Sequence, residues 1–388
     1  MRSSTSSAVP VRLEVFAVED SSAQLSWAGV RPGALRIRWD GGQIDLDTDG
    51  GPGTAELGGL VAATTNDVEV SGDGWSRRLQ VTTLASPPGA ELFRFATISD
   101  LHLGREHFGL AHSIREHDVD ELHPTRCARS AIDDLTRWGA QRLVVKGDIV
   151  DARHPEAWDE AALLLQPVTM PVDLLCGNHD RAGPGSADPI AQSIRVGLAL
   201  VDDVVTVDVP GLRLVMFDSA VDELDIGRWH HAEELCVAAV ATAPGPAMLL
   251  VHHHPQPLPF PIYLPRGIPG PIARRFVAAL TEANPAVIGT SGHTHRNRRH
   301  NLSGIPWTEV GSTKDYPGVW AGYVVHEGGI RQVVRRVSRP DCLVWTERTR
   351  RCAGGLWGYW SKGSLDARCF TWRWPTRCPA APARRGTS

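Results

Sequence analysis

Five short clusters in this chain carry residue types that bind metal ions. They are Asp100-Leu101-His102, Gly147-Asp148 with Asp151 a turn further on, Gly177-Asn178-His179-Asp180, His252-His253-His254-Pro255 and Gly292-His293-Thr294-His295. Carboxylate oxygen and imidazole nitrogen together suit Mn, Fe or Zn, whereas an all-oxygen shell would point to Mg or Ca. A bridging carboxylate can hold two cations about 3.5–4 Å apart, the separation that two-metal hydrolases use. An extended His-x-His turns both rings to one side, because strand side chains alternate, so His293 and His295 can serve neighbouring metals. Taken singly, each cluster has a plainer explanation: Asp100 by itself would be a turn or cap residue. That explanation does not account for metal-binding types recurring at equivalent places along the chain.

Those places are set by what precedes them. Phe93 to Ile98, Leu143 to Val145, Val172 to Leu175, Leu212 to Phe217, Ala247 to Val251 and Ala286 to Ile288 are short, nearly continuous apolar runs. Such runs suit strands covered on both faces. Between them, Arg126 to Trp138 puts Ala128, Ala131, Ile132 and Leu135 on one helical face, and Pro155 to Gln166 looks similar. The pattern predicts an α/β layered domain over residues 91–338, closed by a hairpin around Glu327-Gly328-Gly329. In open α/β sheets, ligands gather outside the carboxyl ends of strands, and all five clusters stand at such ends.

The remaining segments differ in kind. Over residues 11–85, short alternating runs recur at Arg12 to Phe16, Ala23 to Trp27, Leu35 to Trp39, Asp67 to Val70 and Leu79 to Thr82, which predicts a small all-β sandwich. Residues 1–10 read as a disordered N-terminus and residues 86–90 as a linker. Residues 339–388 are rich in Cys, Trp and Arg without sustained periodicity, so they are expected to be poorly ordered and dispensable for catalysis. None of the seven cysteines forms a CxxC pair, and Cys127, Cys176 and Cys236 read as buried thiols. A net charge of −4 and the lack of a basic, aromatic-studded groove argue against a nucleic-acid partner. The Ser-rich start is no secretory signal, and no run approaches the roughly 20 apolar residues that cross a bilayer. No membrane partner is therefore expected, and the cytoplasm is the expected compartment.

The ordered set Asp-x-His, Gly-Asp, Gly-Asn-His-Asp, His and Gly-His-x-His resembles the calcineurin-like metallophosphoesterase superfamily over residues 91–338. The resemblance implies a two-sheet β-sandwich flanked by helices and a centre of two divalent or mixed-valence ions (Mn, Fe or Zn). One metal would take Asp100, His102 and His295, with Asp148 bridging to a second. The second would also take Asn178, His293 and one histidine of the 252–254 run. Counting back from Pro255 selects His253, with His252 as the alternative and His254 as the remaining member. His179 matches the family's non-ligand histidine, which assists the leaving group. The implied activity is hydrolysis of a small phosphoester through a metal-bridging hydroxide. Gly-Asn-His-Asp with Gly-His-Thr-His is similar to the class III cyclic nucleotide phosphodiesterases and glycerophosphodiesterase-like members. A phosphodiester is thus the expected substrate and a phosphomonoester the alternative. A non-catalytic binding module on the same fold would have lost ligands, and none is lost. The N-terminal strand order, with Trp27 and Trp39, resembles a fibronectin type III domain.

Around these residues, Asp151 and Asp180 are expected to orient ligand histidines, and Asp218 to be a turn residue. His107, His112, His117 and His123 fall in a polar segment that reads as a solvated loop. Pro255 to Pro271, with Phe260, Ile262, Tyr263 and Leu264, reads as a semi-rigid lip over the phosphate. Arg296 to Arg299 form a charge run that could steer an anion.

Overall fold

The computed structural model describes residues 11–109, 112–117, 119–151, 156–181, 188–222, 224–229 and 232–375. The expected disordered N-terminus (residues 1–10), Pro155 of the second expected helix and residues 376–388 of the expected tail lie outside them.

Seven strands open the described chain: β1 (Arg12–Val18), β2 (Ala23–Ala28), β3 (Gly33–Trp39), β4 (Gly42–Thr48), β5 (Gly53–Leu57), β6 (Thr65–Gly72) and β7 (Trp75–Thr82). They make two antiparallel sheets, ordered β1-β2-β5 and β4-β3-β6-β7. Phe16, Leu25, Ile37, Val68, Val70 and Val81 are fully buried in their core. β4 and β5 were not among the expected strands, because glycines and aspartates hide short alternating stretches such as Ile44 and Leu46 among turn residues.

From residue 91 strands and helices alternate. First come β8 (Glu91–Ile98), the short hairpin β9 (His107–Phe108) and β10 (Ile114–Arg115), α1 (His123–Trp138), β11 (Leu143–Lys146), α2 (Ala157–Leu165), β12 (Val172–Leu175) and α3 (Pro189–Arg195). Next are β13 (Val204–Val209), β14 (Leu212–Phe217), α4 (Glu233–Ala241), β15 (Ala247–Val251), α5 (Gly270–Ala283), β16 (Val287–Ser291), β17 (Arg298–Leu302) and β18 (Ile305–Glu309). Last are β19 (Val319–His326), β20 (Gly329–Arg336), α6 (Pro340–Arg350), α7 (Leu356–Lys362), α8 (Leu365–Arg368) and β21 (Phe370–Arg373). Two six-stranded mixed sheets result, ordered β12-β11-β8-β19-β20-β21 and β13-β14-β15-β16-β18-β17.

Strand alternation explains why these runs are apolar throughout. Phe95, Val144, Leu214, Met248, Leu250 and Ile288 point into one core between the sheets. Their neighbours turn outward: Ala96, Ile98, Leu143 and Val145 pack with α1 and α2, whereas Val215, Phe217, Leu249 and Val251 pack with α4 and α5. Both faces of these central strands are covered, which is why their runs are apolar throughout. No helix among the described residues is long and apolar enough to cross a membrane.

The segment after residue 338 is folded as far as it is described, which corrects the expectation of a poorly ordered tail. The buried positions of α6 are Cys342, Leu343, Trp345, Thr346 and Thr349, a helical stripe written partly in Thr and Cys. Trp345 Nε1 donates to Lys314 O at 2.6 Å, and its ring stacks on His123 at 3.8 Å. β21 pairs antiparallel with β20 and completes the first large sheet. Periodicity was weak because this segment fills a surface already built by the rest of the chain rather than presenting an apolar face of its own.

Candidate metal centre

β8, β11 and β12 run parallel in one sheet, as do β15 and β16 in the other, so equivalent loops leave each sheet at one end. These loops carry all five clusters. Asp100, His102, Asp148, His293 and His295 all have left-handed backbone, with φ of 56°, 50°, 50°, 68° and 53°. They are five of the ten non-glycine residues with positive φ among those described. Each such conformation costs on the order of 1–3 kcal/mol and persists where the surroundings enforce it, commonly at functional sites. His293 and His295 are therefore delivered by a coiled backbone beyond β16 and not by an extended His-x-His, which corrects the sequence expectation. Glycines permit the close approach: a Cβ on Gly177 would lie 2.2 Å from Asp148 Oδ1, and one on Gly292 would lie 2.8 Å from Asp100 Oδ2.

At the centre, Asp148 Oδ2 stands 3.5 Å from His102 Nε2 and 3.4 Å from His252 Nε2. On the first side, His295 Nε2 lies 3.4 Å from Asp100 Oδ1 and 3.3 Å from His102 Nε2. On the other, His252 Nε2 lies 3.2 Å from Asn178 Oδ1, and the His252, His253 and His293 rings cluster together. Outer hydrogen bonds fix the tautomers. His295 Nδ1 donates to Asp315 Oδ2 at 2.6 Å, His252 Nδ1 to Lys146 O at 2.8 Å, and His293 Nε2 to Arg266 O at 2.9 Å. Each of these rings then turns its second nitrogen inward as a lone pair. Lone pairs face carboxylate and amide oxygens at short range, which is repulsive unless a proton or a cation stands between. The buried Asp148 illustrates the demand for positive charge. Burial alone would raise its carboxyl, but His252 and His179 hold it far below the usual range. Reciprocally, Asp148 lifts His252 to about 9 against the downward push of burial. A mixed set of buried imidazole nitrogens and carboxylate oxygens fits two divalent cations.

Within the 252–254 run the structure separates the three histidines. His252 is the one that faces Asp148 and Asn178. His253, the residue favoured by counting back from Pro255, points its Nδ1 at Ser219 Oγ at 2.8 Å, and its ring lies 4.5 Å from that of His293. His254 packs between His293 and Tyr263 at 5.8 and 5.4 Å. The chain bends at His252 and His253, just beyond the end of β15, and the successive rings diverge there.

His179 sits at the edge of the centre. Its backbone N–H donates to Asp148 Oδ1 at 2.8 Å, and its ring lies 4.5 Å from that of His102. Arg105, which sequence reasoning missed, donates from Nε to Asp151 at 2.8 Å and brings Nη2 within 3.3 Å of His179 Nδ1. Asp151 Oδ1 also stands 3.9 Å from His179 Nδ1, so Asp151 acts on the ring both directly and through Arg105. Among the described residues Asp180 bonds to no histidine: its carboxylate accepts from the Val150 and Gly177 amides at 2.9 and 2.8 Å, locking two of the loops together. Asp218 is more than a turn residue, because it also accepts from Arg181 Nε at 3.2 Å. Asp315 was missed as well, since nothing around Ser312-Thr313-Lys314-Asp315 marks it as a partner of a histidine.

A cleft of about 1130 Å³ opens over Asp148, Asn178, His179, His293 and His295. The proline-rich lip contributes Phe260, Leu264 and Arg266 to its wall, and Arg296 joins them. Of the polar segment after β8, Phe108 and Gly109 line the cleft, whereas its histidines do not. His123 is a buried residue at the start of α1, not part of a solvated loop. Arg298 is occupied with the backbone of the C-terminal segment, donating to Trp360 O at 2.6 Å.

Residues 93–297 match the family model of the calcineurin-like phosphoesterases. A curated relative from Rhodococcus erythropolis, described as a probable cyclic nucleotide phosphodiesterase, is 24% identical over 217 residues, covering 53% of this chain and 69% of its own. Among solved structures, a dimetal phosphatase from Danio rerio superposes with a TM-score of 0.50 at 15% identity, covering 64% of this chain and 98% of its own, a likeness of fold. With more than half of its length matched by one family and the family's motif residues gathered at the ends of parallel strands, the chain belongs to the calcineurin-like phosphoesterases.

Proposed function

We propose that the protein is a metal-dependent phosphodiesterase. In this reading Asp100, His102 and His295 would hold one cation, Asn178, His252 and His293 would hold the second, and Asp148 would be shared between them. The observation that carries it is the position of Asp148 Oδ2, nearly equidistant from His102 and His252 at 3.5 and 3.4 Å. When bound, the pair of cations would draw charge from the phosphoryl oxygens and acidify a water for attack in line.

The chain's own groups supply the rest. His179 Nδ1 accepts from Arg105, which leaves the proton on Nε2 as a donor toward the cleft. That donor protonates the departing alkoxide oxygen, the harder task for an alkyl ester than for an aryl one. Arg105, pinned by Asp151, keeps the ring from turning. Arg266 stands exposed in the cleft wall and orients the anion, while the buried Arg296 ties the wall together. Support for a diester over a monoester comes from the description of the Rhodococcus relative and from a cleft much larger than a phosphate needs.

Turnover of bis(4-nitrophenyl) phosphate and of 4-nitrophenyl phosphate by Mn-loaded protein tests the assignment. The diester should be the better substrate; a clear preference for the monoester would move the protein to phosphomonoester hydrolysis.

A further inference from the structure

The C-terminal segment does something at the cleft that its sequence did not announce. Leu356, Trp357 and Trp360 of α7 line the cavity that holds the metal-binding residues, opposite Phe260 and Leu264 of the lip. Leu356 is 65% exposed, Trp360 49%, Phe260 49% and Leu264 48%, so large apolar groups from two distant parts of the chain converge around one opening. Isolated exposed apolar residues need no explanation, but a facing set around a concave site marks a place for an apolar ligand group.

The wall is also firmly built. Asn297, two residues beyond His295, donates its backbone N–H to Ser361 O at 3.0 Å and its side-chain amide to Ser361 O and Lys362 O, both at 3.3 Å. The Arg296 guanidinium lies over the Tyr263 ring at 4.2 Å and faces the Trp360 ring at 5.7 Å, linking lip and α7. Trp357 packs 5.4 Å from Phe108 and 6.4 Å from the His295 ring, which brings the aromatic surface to the edge of the metal centre. Behind Phe260 and Arg266 a second cavity of about 540 Å³ continues the apolar path along the lip.

We infer that this wall is a specificity subsite, and that the natural substrate is a phosphodiester with one bulky apolar alcohol, seated between α7 and the lip. The inference rests on the diesterase reading for its chemistry. Leu356 and Trp360 are its specificity-determining residues, because both are exposed, line the cleft and belong to a segment tied to the metal-binding loop.

The test uses full-length, metal-loaded protein and 4-nitrophenyl diesters that share one leaving group. The second alcohol is methyl, octyl or 2-naphthyl. The wild-type protein should favour at least one bulky arm over methyl in kcat/KM by on the order of tenfold or more. Octyl against naphthyl reports whether the arm is a chain or a flat ring. Leu356→Ser and Trp360→Ser should bring the bulky-to-methyl ratio down severalfold while both variants keep the wild-type metal content. A wild-type ratio near one, or a ratio unchanged in both variants, would overturn the subsite. Should no diester turn over at all, the diesterase reading falls separately, and quenching of tryptophan fluorescence decides the subsite. Tighter binding of 2-naphthyl phosphate than of methyl phosphate, weakened in Trp360→Ser, upholds it; equal binding of the two overturns it.

Discussion

Three histidines define the centre through the hydrogen bonds they make on its outside. Anchoring His295 on Asp315, His252 on Lys146 O and His293 on Arg266 O leaves each ring one inward lone pair. Asp315 is fully buried and also accepts from Lys314 Nζ at 3.2 Å, so it cannot turn away from His295 without losing a second partner. Asp315→Ala should weaken cation affinity by about 10–100-fold, the usual effect of removing an outer partner. Titration with limiting Mn checks this, and wild-type affinity in the variant would show that His295 needs no anchor. His179 has a different task. His179→Ala should keep its metals and lose about 10²–10⁴-fold in turnover. Steady-state rates on matched substrates should show a larger loss for alkyl than for aryl leaving groups. Equal losses would make the ring an electrostatic rather than a proton-donating group.

At the scale of elements, left-handed loop ends and one unexpected helix do the positioning. Trp345 of α6 is 1% exposed between His123 and the Lys314 carbonyl, adjacent to the residue that anchors His295. Trp345→Ala should cost about 3–5 kcal/mol in urea unfolding, the usual penalty for emptying a large buried aromatic site. Stopping the chain at Ser338 removes this residue and β21, and should abolish metal binding; a soluble, metal-replete truncation would restore the view of a dispensable tail. What the sequence made legible follows from physics. Strands such as Ala247–Val251 were readable because both faces are buried, and their polar ends stood out for the same reason. Left-handed φ at Asp100 or His293 had no signal, since Asp and His are tolerated in many conformations. Which histidine of the 252–254 run faces Asp148 depends on how the chain bends beyond β15, which a motif does not encode. α6 and α7 were missed because Thr, Cys and Trp sit where an isolated amphipathic helix would carry Leu and Ile.

Across the whole molecule, the N-terminal sandwich docks on β20 through buried charge. Glu19, 4% exposed, pairs with Arg331 at 3.1 Å and with Arg335, while Gln24 exchanges hydrogen bonds with the Arg336 backbone at 3.0 and 2.8 Å. Among the described residues, none from the sandwich lines the cleft, and we propose that it buttresses the first large sheet. Burial would raise the Glu19 carboxyl, but Arg335 and Arg331 hold it below its ordinary value. Its contribution is therefore complete above the ordinary carboxylate range and is lost as pH falls through the depressed folded value. Glu19→Gln should cost about 3 kcal/mol near neutral pH by stranding buried arginine charge. That deficit should shrink in unfolding measurements below about pH 4; a deficit independent of pH would assign it to packing. We propose that Asp148 joins two cation sites in one chain. Elemental analysis of Mn-loaded, extensively dialysed protein tests it most directly. Wild type should retain two equivalents per chain and Asp148→Asn clearly fewer than two, whereas two equivalents in both proteins would contradict the account.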